Sequence, residues 1–321
     1  GLSNHFDLLN IGVAYNSEGT ARSVQGIEWT ELGAEDWEEE FGNGLNFKHA
    51  DCNGDGVVSK EDIAAVELNF GLEHGTHQPD IFLSGNEDDP PFYVDLPAPE
   101  DLQQGQPFFA PLLLGSSDLP VDDLYGIAFT IVFDPEIIPP SSVEIQYNPG
   151  WLGVADVNLL TFDRTQAGEG RIHVALVRSD QNGVSGYGQV LGFIGIIDNI
   201  AGKESLSVEI ENVRAIQGNE TLIPLNRPVE VVELEPLAAS TLQPGGFELF
   251  PNPSTDRVWF RLPDGFSVKK LTLSNTNGRT LFLLNDPISE LDISNIPAGV
   301  YMLKIETEKG VFVERLVKIN E

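Results

Sequence analysis

Between residues 51 and 62 the side-chain types and their spacing suit one kind of chemistry, the binding of a hard cation. Oxygen-bearing side chains recur at Asp51, Asn53, Asp55, Ser59 and Asp62, which are positions 1, 3, 5, 9 and 12 of a short loop. Gly56 falls at position 6, where such a loop must turn sharply, and Val57 at position 7 offers its backbone carbonyl. Calcium takes six to eight oxygen ligands, and this spacing wraps one loop around one ion. The expected calcium ligands are therefore Asp51, Asn53, Asp55, Val57, Ser59 and Asp62, with Ser59 acting directly or through a water. A turn rich in Asp, Asn and Gly that binds nothing has a similar composition. Against it, five ligand positions and the glycine agree at once. An apolar pattern of helical period over residues 63–70 follows, so a helix leaves the loop.

A standard EF-hand loop carries Glu at position 12, where this chain has Asp62, and residues before Asp51 lack a good helix pattern. The combination of this loop and its exiting helix resembles the dockerin repeat of cellulosome-type proteins. An echo lies at the start of the chain. Gly1 aligns with Gly56, Asp7 with Asp62, Leu8 with Ile63, Ile11 with Val66 and Tyr15 with Phe70. Dockerins carry two such repeats, so the resemblance implies that residue 1 is loop position 6 of a first repeat. Asn4 and Asp7 are then a second, weaker set of calcium ligands, and the chain reads as the C-terminal part of a longer protein.

The chain has 321 residues and a formal charge of −32, with 41% hydrophobic residues. That content fits two or three folded domains. Residues 248–321 hold nine Lys and Arg against ten Asp and Glu, about −1, so residues 1–247 carry about −31. Such a field repels nucleic acid and anionic membranes and attracts divalent cations and basic partners. An adaptation to salty surroundings would give the same charge. Cys52 is the only cysteine, so no intrachain disulfide forms, and it is assigned no role. No apolar run reaches the 18 or so residues that would insert as a membrane span.

The elements that must hold this loop make the expected fold class mainly β: a jelly-roll sandwich and a small C-terminal sandwich, preceded by a small helical calcium domain. Residues 1–80 form that first domain, with an insertion over 21–50 whose Trp29 and Trp37 pack onto the two helices. The acidic run 35–40 is expected to be a solvated helix face. Residues 81–91 are read as a linker, because 75–91 are rich in Gly, Asp and Pro.

From 92 to 234 the pattern turns to about nine strands. Ile127, Phe129, Ile131 and Phe133 share one strand face, as do Ile172, Val174 and Leu176. The aromatic strand closed by Phe133 and Pro135, the strand 171–178, and the run 188–196 are together similar to the cohesin family. That family adopts a nine-stranded sandwich and, in cellulosomes, binds dockerins. The resemblance implies that the dockerin-like and cohesin-like parts pack within the chain or between copies. A carbohydrate-binding module is the rival reading, with Tyr147, Trp151 and Tyr187 as candidate glycan-stacking residues.

A spacer over 235–246 leads to the last domain, 247–321, with seven short strands. Pro251, Asn252 and Pro253 at its opening, the turn ending at Gly278, the stretch from Pro297 to Tyr301 and the closing Val317–Ile319 resemble the type A C-terminal sorting domain of type IX secretion cargo. The resemblance implies recognition by the outer-membrane translocon and attachment machinery, and an extracellular, cell-surface location in a Gram-negative bacterium.

Catalytic signatures do not emerge. His5, His49, His74, His77 and His173 form no zinc-hydrolase spacing, and His173 is expected at the surface of its strand. Nucleophile elbows, phosphate loops and dinucleotide fingerprints are missing. The sequence reads as a non-catalytic region serving calcium-stabilised docking and surface delivery.

Overall fold

A computed structural model of the chain describes residues 1–75, 80–166, 168–198, 203, 205–234, 248–262, 267–275, 280–284, 290–307 and 310–319. The chain divides into two compact units, Gly1–Leu234 and Glu235–Glu321. The spacer 235–246 lies outside the described residues, as do His77 and most of the turn before Thr280. Among the described residues no helix is long and apolar enough to cross a membrane.

Twelve strands are described in the first unit. They are β1 (Phe92–Val94), β2 (Pro107–Leu114), β3 (Val121–Leu124), β4 (Gly126–Phe133), β5 (Glu144–Gln146), β6 (Leu159–Gln166), β7 (Arg171–Arg178), β8 (Val184–Gly186), β9 (Gly188–Ile196), β10 (Ser205–Ile216), β11 (Leu222–Ile223) and β12 (Val231–Glu233). One sheet has the order β1-β2-β9-β5 and the other β11-β10-β4-β7-β6, with β12 also on β10; β3 and β8 form a separate ribbon. Every pairing in these sheets is antiparallel. Phe92, Phe108, Leu112, Ile127, Phe129, Ile172, Leu191 and Phe193 fill the space between the sheets. The expected strand count was about nine; β3, β8 and β11 are short additions that carry no long alternating run.

Strand β4 is buried on nearly every residue, which a one-sided sheet would not require. Its second face is covered by α1 (Asp7–Val13), and a second helix, α2 (Ile63–Asn69), ends over β6 and β7 alongside it. Seven residues make a marginal helix in water, so these helices depend on what they pack against. Leu8, Leu9, Ile11, Val66, Ala128, Phe162, Ala175 and Val177 form one core shared by helices and sheet. The close approach needs Gly12: a Cβ there would fall 2.1 Å from a Val177 methyl. Tyr125 seals the contact, its hydroxyl donating to the Gly12 carbonyl at 2.8 Å.

The two helices belong to a repeat related by a shift of 55 residues, from Gly1 to Gly56. Leu2 bridges Glu73 just as Val57 bridges Glu18. The Ser3 amide donates to Leu72 and the Gly71 amide to Ser3; in the other half the Val58 amide donates to Ser17 and the Asn16 amide to Val58. His74 to Gly1 and Gly19 to Gly56 complete the correspondence. Such reciprocal bonds describe two halves related by a pseudo-twofold axis.

Three expectations over residues 1–91 are corrected. The acidic run 35–40 is not a helix: Asp36 pairs with Lys48 at 2.6 Å, Glu39 accepts from the Ser17 hydroxyl, and Glu40 bridges Asn46. Like charges crowded over two turns disfavour a helix, and the Asn46 side chain instead clamps the Trp37 backbone from both sides. Trp37 is buried as expected, whereas Trp29 is a partly exposed ring beside His74. Residues 80–91 are no free tether. Asp80 pairs with Arg214 at 2.9 Å, Phe82 packs near Phe6, and the Gly85 amide donates to Leu225.

The second unit has seven described strands, β13 (Glu248–Phe250), β14 (Arg257–Arg261), β15 (Val268–Asn275), β16 (Thr280–Leu284), β17 (Glu290–Asp292), β18 (Gly299–Thr307) and β19 (Gly310–Lys318). They form sheets β13-β14-β17 and β16-β15-β18-β19 around Val258, Phe260, Leu271, Leu273, Leu303, Ile305 and Leu316. The opening of this unit is tied to its last strand, because the Asn252 side chain donates to the Arg315 carbonyl and accepts from the Val317 amide.

Candidate metal centre

The loop that opens the second repeat, residues 51–62, is held by its own carboxylates. Asp51 accepts from the amides of Gly54 and Gly56 at 2.7 and 3.0 Å, and from that of Asp55 at 3.1 Å. Asp62 accepts from the amides of Asn53 and Ser59 at 3.0 and 2.8 Å, closing a capping box with Ser59 at the entry to α2. Asp55 accepts from the Val57 amide and from the Asn53 side chain. Gly54 and Gly56 have φ of +79° and +94°, where a side chain would be strained. At Gly56 a Cβ would also meet the Gly19 carbonyl.

Asp51 and Asp62 are 4% and 0% exposed. Burial pushes the Asp62 carboxyl up to about 6, against the lowering pull of its amide donors, and it raises Asp51 as well. A buried carboxylate favours either a proton or a cation as a companion. Arg22, which no sequence signal singled out, supplies part of that charge. It donates to the Cys52 carbonyl at 2.7 Å and lies where a side chain at Gly54 would stand. Among the described residues no group of three or more His, Cys, Asp or Glu side chains is gathered tightly enough to make a metal site from those types alone. The oxygen donors of this loop include Asn53, Ser59 and the Val57 carbonyl, so the full set is a hard-ligand one.

In the first repeat, Asn4 and Asp7 reproduce the Ser59–Asp62 pair, the Asn4 amide donating to Asp7 at 2.9 Å. Burial raises Asp7 to about 6.

The three aromatic glycan candidates differ in how far they are packed down. Tyr147 is packed against the sandwich core and donates to Asp163 at 3.0 Å. Trp151 also packs on that core, its indole against Gly186 and Gly188. Tyr187 is 52% exposed and stands beside Gly115 instead. His173 is half-buried rather than open at the surface: Phe70 and His5 lie against it, and its ring nitrogens meet Thr130 and Gln166. Helix α2 ends over this strand, which the alternation within β7 alone does not reveal.

Residues 248–320 match the family described as secretion system C-terminal sorting domain. No curated protein matches the chain. Among solved structures the chain is similar to a non-cellulosomal cohesin from the archaeon Archaeoglobus fulgidus, at 11% identity, covering 45% of this chain and 90% of that one with a TM-score of 0.35. A cohesin module of a Clostridium perfringens family 33 glycoside hydrolase gives 12%, 45%, 96% and 0.35. A Clostridium thermocellum cohesin–dockerin complex gives 13%, 49%, 97% and 0.35. Likeness at this level says nothing of ligands or partners.

Proposed function

We propose that this chain is a non-catalytic region of a secreted cell-surface protein, in which a calcium-closed helical repeat is clamped onto a β-sandwich and the last unit directs export. The observation that carries the export part is the family match over residues 248–320. In this reading the export apparatus of the outer membrane recognises the second unit and delivers what precedes it to the cell surface. A secreted reporter fused to residues 235–321 tests it. The reporter should reach the surface of a host with the type IX apparatus and stay in the periplasm of an export-deficient strain. Surface display in both strains would refute it.

The helical repeat is read as dockerin-like and the sandwich as cohesin-like, paired within one chain. Support comes from the reciprocal bonds between the two repeats and from the core shared by α1 with β4 and β7. In this reading Asp51, Asn53, Asp55, Ser59, Asp62 and the Val57 carbonyl hold calcium. Bound calcium would offset the repulsion among three carboxylates and lock the loop from which α2 starts. The Ser59–Asp62 capping box holds the 3-10 turn Lys60–Asp62 that leads into α2, and Arg22 braces the loop backbone from outside.

A further inference from the structure

The helices cover one outer face of the sandwich; the outer face of β1-β2-β9-β5 carries an unusual arrangement around Gly192. Across the ladder Gly192 pairs with Pro111 of β2 and Gln146 of β5, and two residues along Ile194 pairs with Phe109 and Glu144. Residues directly opposite in a ladder share a face, and faces alternate along a strand, so all six side-chain positions lie on one side of the sheet. The inner side is taken by Phe108, Ala110 and Phe193, all buried.

Phe109 occupies the place that a side chain on Gly192 would take. A Cβ there would fall 2.3 Å from the Phe109 Cε2 atom and 2.9 Å from Cζ. The ring thus rests on the glycine backbone, yet Phe109 remains 42% exposed. An aromatic ring supported from below by backbone and open above is a stacking surface. Its neighbours are Pro111, Ile194 and the Gln146 amide, with Glu144 as the one charged group among these six.

We propose that Phe109, seated on Gly192 and flanked by Gln146 and Glu144, is a subsite for a sugar ring of a neutral polysaccharide. The apolar C–H face of a pyranose packs on an aromatic ring, and an amide beside a carboxylate offers both donor and acceptor to the sugar hydroxyls. Charge narrows the occupant, since one carboxylate among six positions gives a basic partner little to pair with. The chain's −32 opposes anionic glycans, nucleic acid and a second copy of itself, while an uncharged glycan meets no such barrier. The subsite is separate from Tyr147, Trp151 and Tyr187, and it does not depend on the export reading.

Affinity gel electrophoresis of the full chain tests the proposal, with hydroxyethylcellulose, xylan and glucomannan as neutral probes and alginate as the anionic one. The wild type should be retarded by at least one neutral probe and not by alginate. Phe109→Ala and Phe109→Leu, the second keeping apolar bulk without a flat ring, should weaken retardation at least tenfold with unchanged melting temperature. Gln146→Ala should weaken it less, and Trp151→Phe should leave it unchanged. No retardation by any neutral probe, equal retardation by alginate, or full retardation of folded Phe109→Leu would each overturn the proposal.

Discussion

At the residue scale, the loop from Asp51 to Asp62 is a set of negative charges held close by backbone amides. Removing the Asp55 side chain should leave the amide bonds to Asp51 and Asp62 in place but delete one ligand. Asp55→Ala should therefore melt like wild type in chelator and lose most of the calcium-induced rise in melting temperature, a difference on the order of a few kcal/mol. Because burial lifts Asp62 to about 6, protons would compete with the proposed calcium there. The calcium-induced rise should be full above that value and shrink as pH falls through it; a rise that stays constant from neutral to mildly acidic pH would count against the assignment.

His5 works in the opposite direction. Burial first, and then the positive charges of His173 and Arg214, hold its imidazole down to about 3, and both ring nitrogens lack a hydrogen-bond partner. A group whose folded value lies below its ordinary 6.5 leaves the unfolded chain binding more protons in between. Its contribution is thus fully present above 6.5 and is lost as pH falls toward 3. Asp7, raised to about 6, partly offsets this over the same range, so the comparison must be between variants. His5→Phe should flatten the acid-side fall in melting temperature relative to wild type.

The turn in this loop was legible, because glycines at positive φ and amide-accepting Asp side chains recur at fixed intervals in a tight turn. Arg22 was not, since a guanidinium that reaches the loop from 30 residues upstream leaves no local spacing to read. His173 was misplaced for a related reason: strand alternation tells which face a residue points to, not what lies over that face.

At the element scale, α1 is placed by a glycine and a tyrosine rather than by helix propensity. Gly12→Val would press a branched side chain into Val177 and should cost about 1–3 kcal/mol, read as a fall in denaturation midpoint. Tyr125→Phe would remove one of two donors to the Gly12 carbonyl, the Tyr15 amide remaining at 3.2 Å, and should cost about 0.5–1.5 kcal/mol. If the helices were merely tethered, neither change would alter the melting of the sandwich.

The apolar runs of β2, β4, β7 and β9 announced themselves, β2 by a period of two from burying one face and the others as near-continuous apolar stretches buried on both. The run at 80–91 did not. Its Gly, Pro and Asp residues read as slack chain, yet single anchors at Asp80, Phe82 and Gly85 fasten it along the sandwich. Anchors of that kind carry no periodicity. The acidic run 35–40 failed for a different reason, since Asn46 and Lys48 lie outside it and decide its shape.

At the scale of the whole molecule, the charge is concentrated in residues 1–247 and the family match in 248–320. Residues 1–234 are one compact unit, so under the proposed calcium site that piece expressed alone should be stabilised by calcium as much as the full chain is. Loss of that dependence on removing residues 235–321 would mean that calcium stabilises something other than the helical repeat. The boundary of the last unit was legible from composition and from the Pro-rich opening at 251–253, whereas the expected separation of a domain 1–80 from the sandwich 92–234 gives way to one unit, Gly1–Leu234. The joining of helices and sandwich into one unit was anticipated only as one of two arrangements, because sequence does not distinguish packing within a chain from packing between copies.

On this reading calcium fastens the helical repeat onto the sandwich of its own chain. Sedimentation velocity of residues 1–234, in millimolar calcium and in chelator, tests it most directly. A monomer is expected in both conditions, with a higher sedimentation coefficient in calcium as α1 stays seated on β4 and β7. Oligomers that form only in calcium, or identical coefficients in the two conditions, would contradict it.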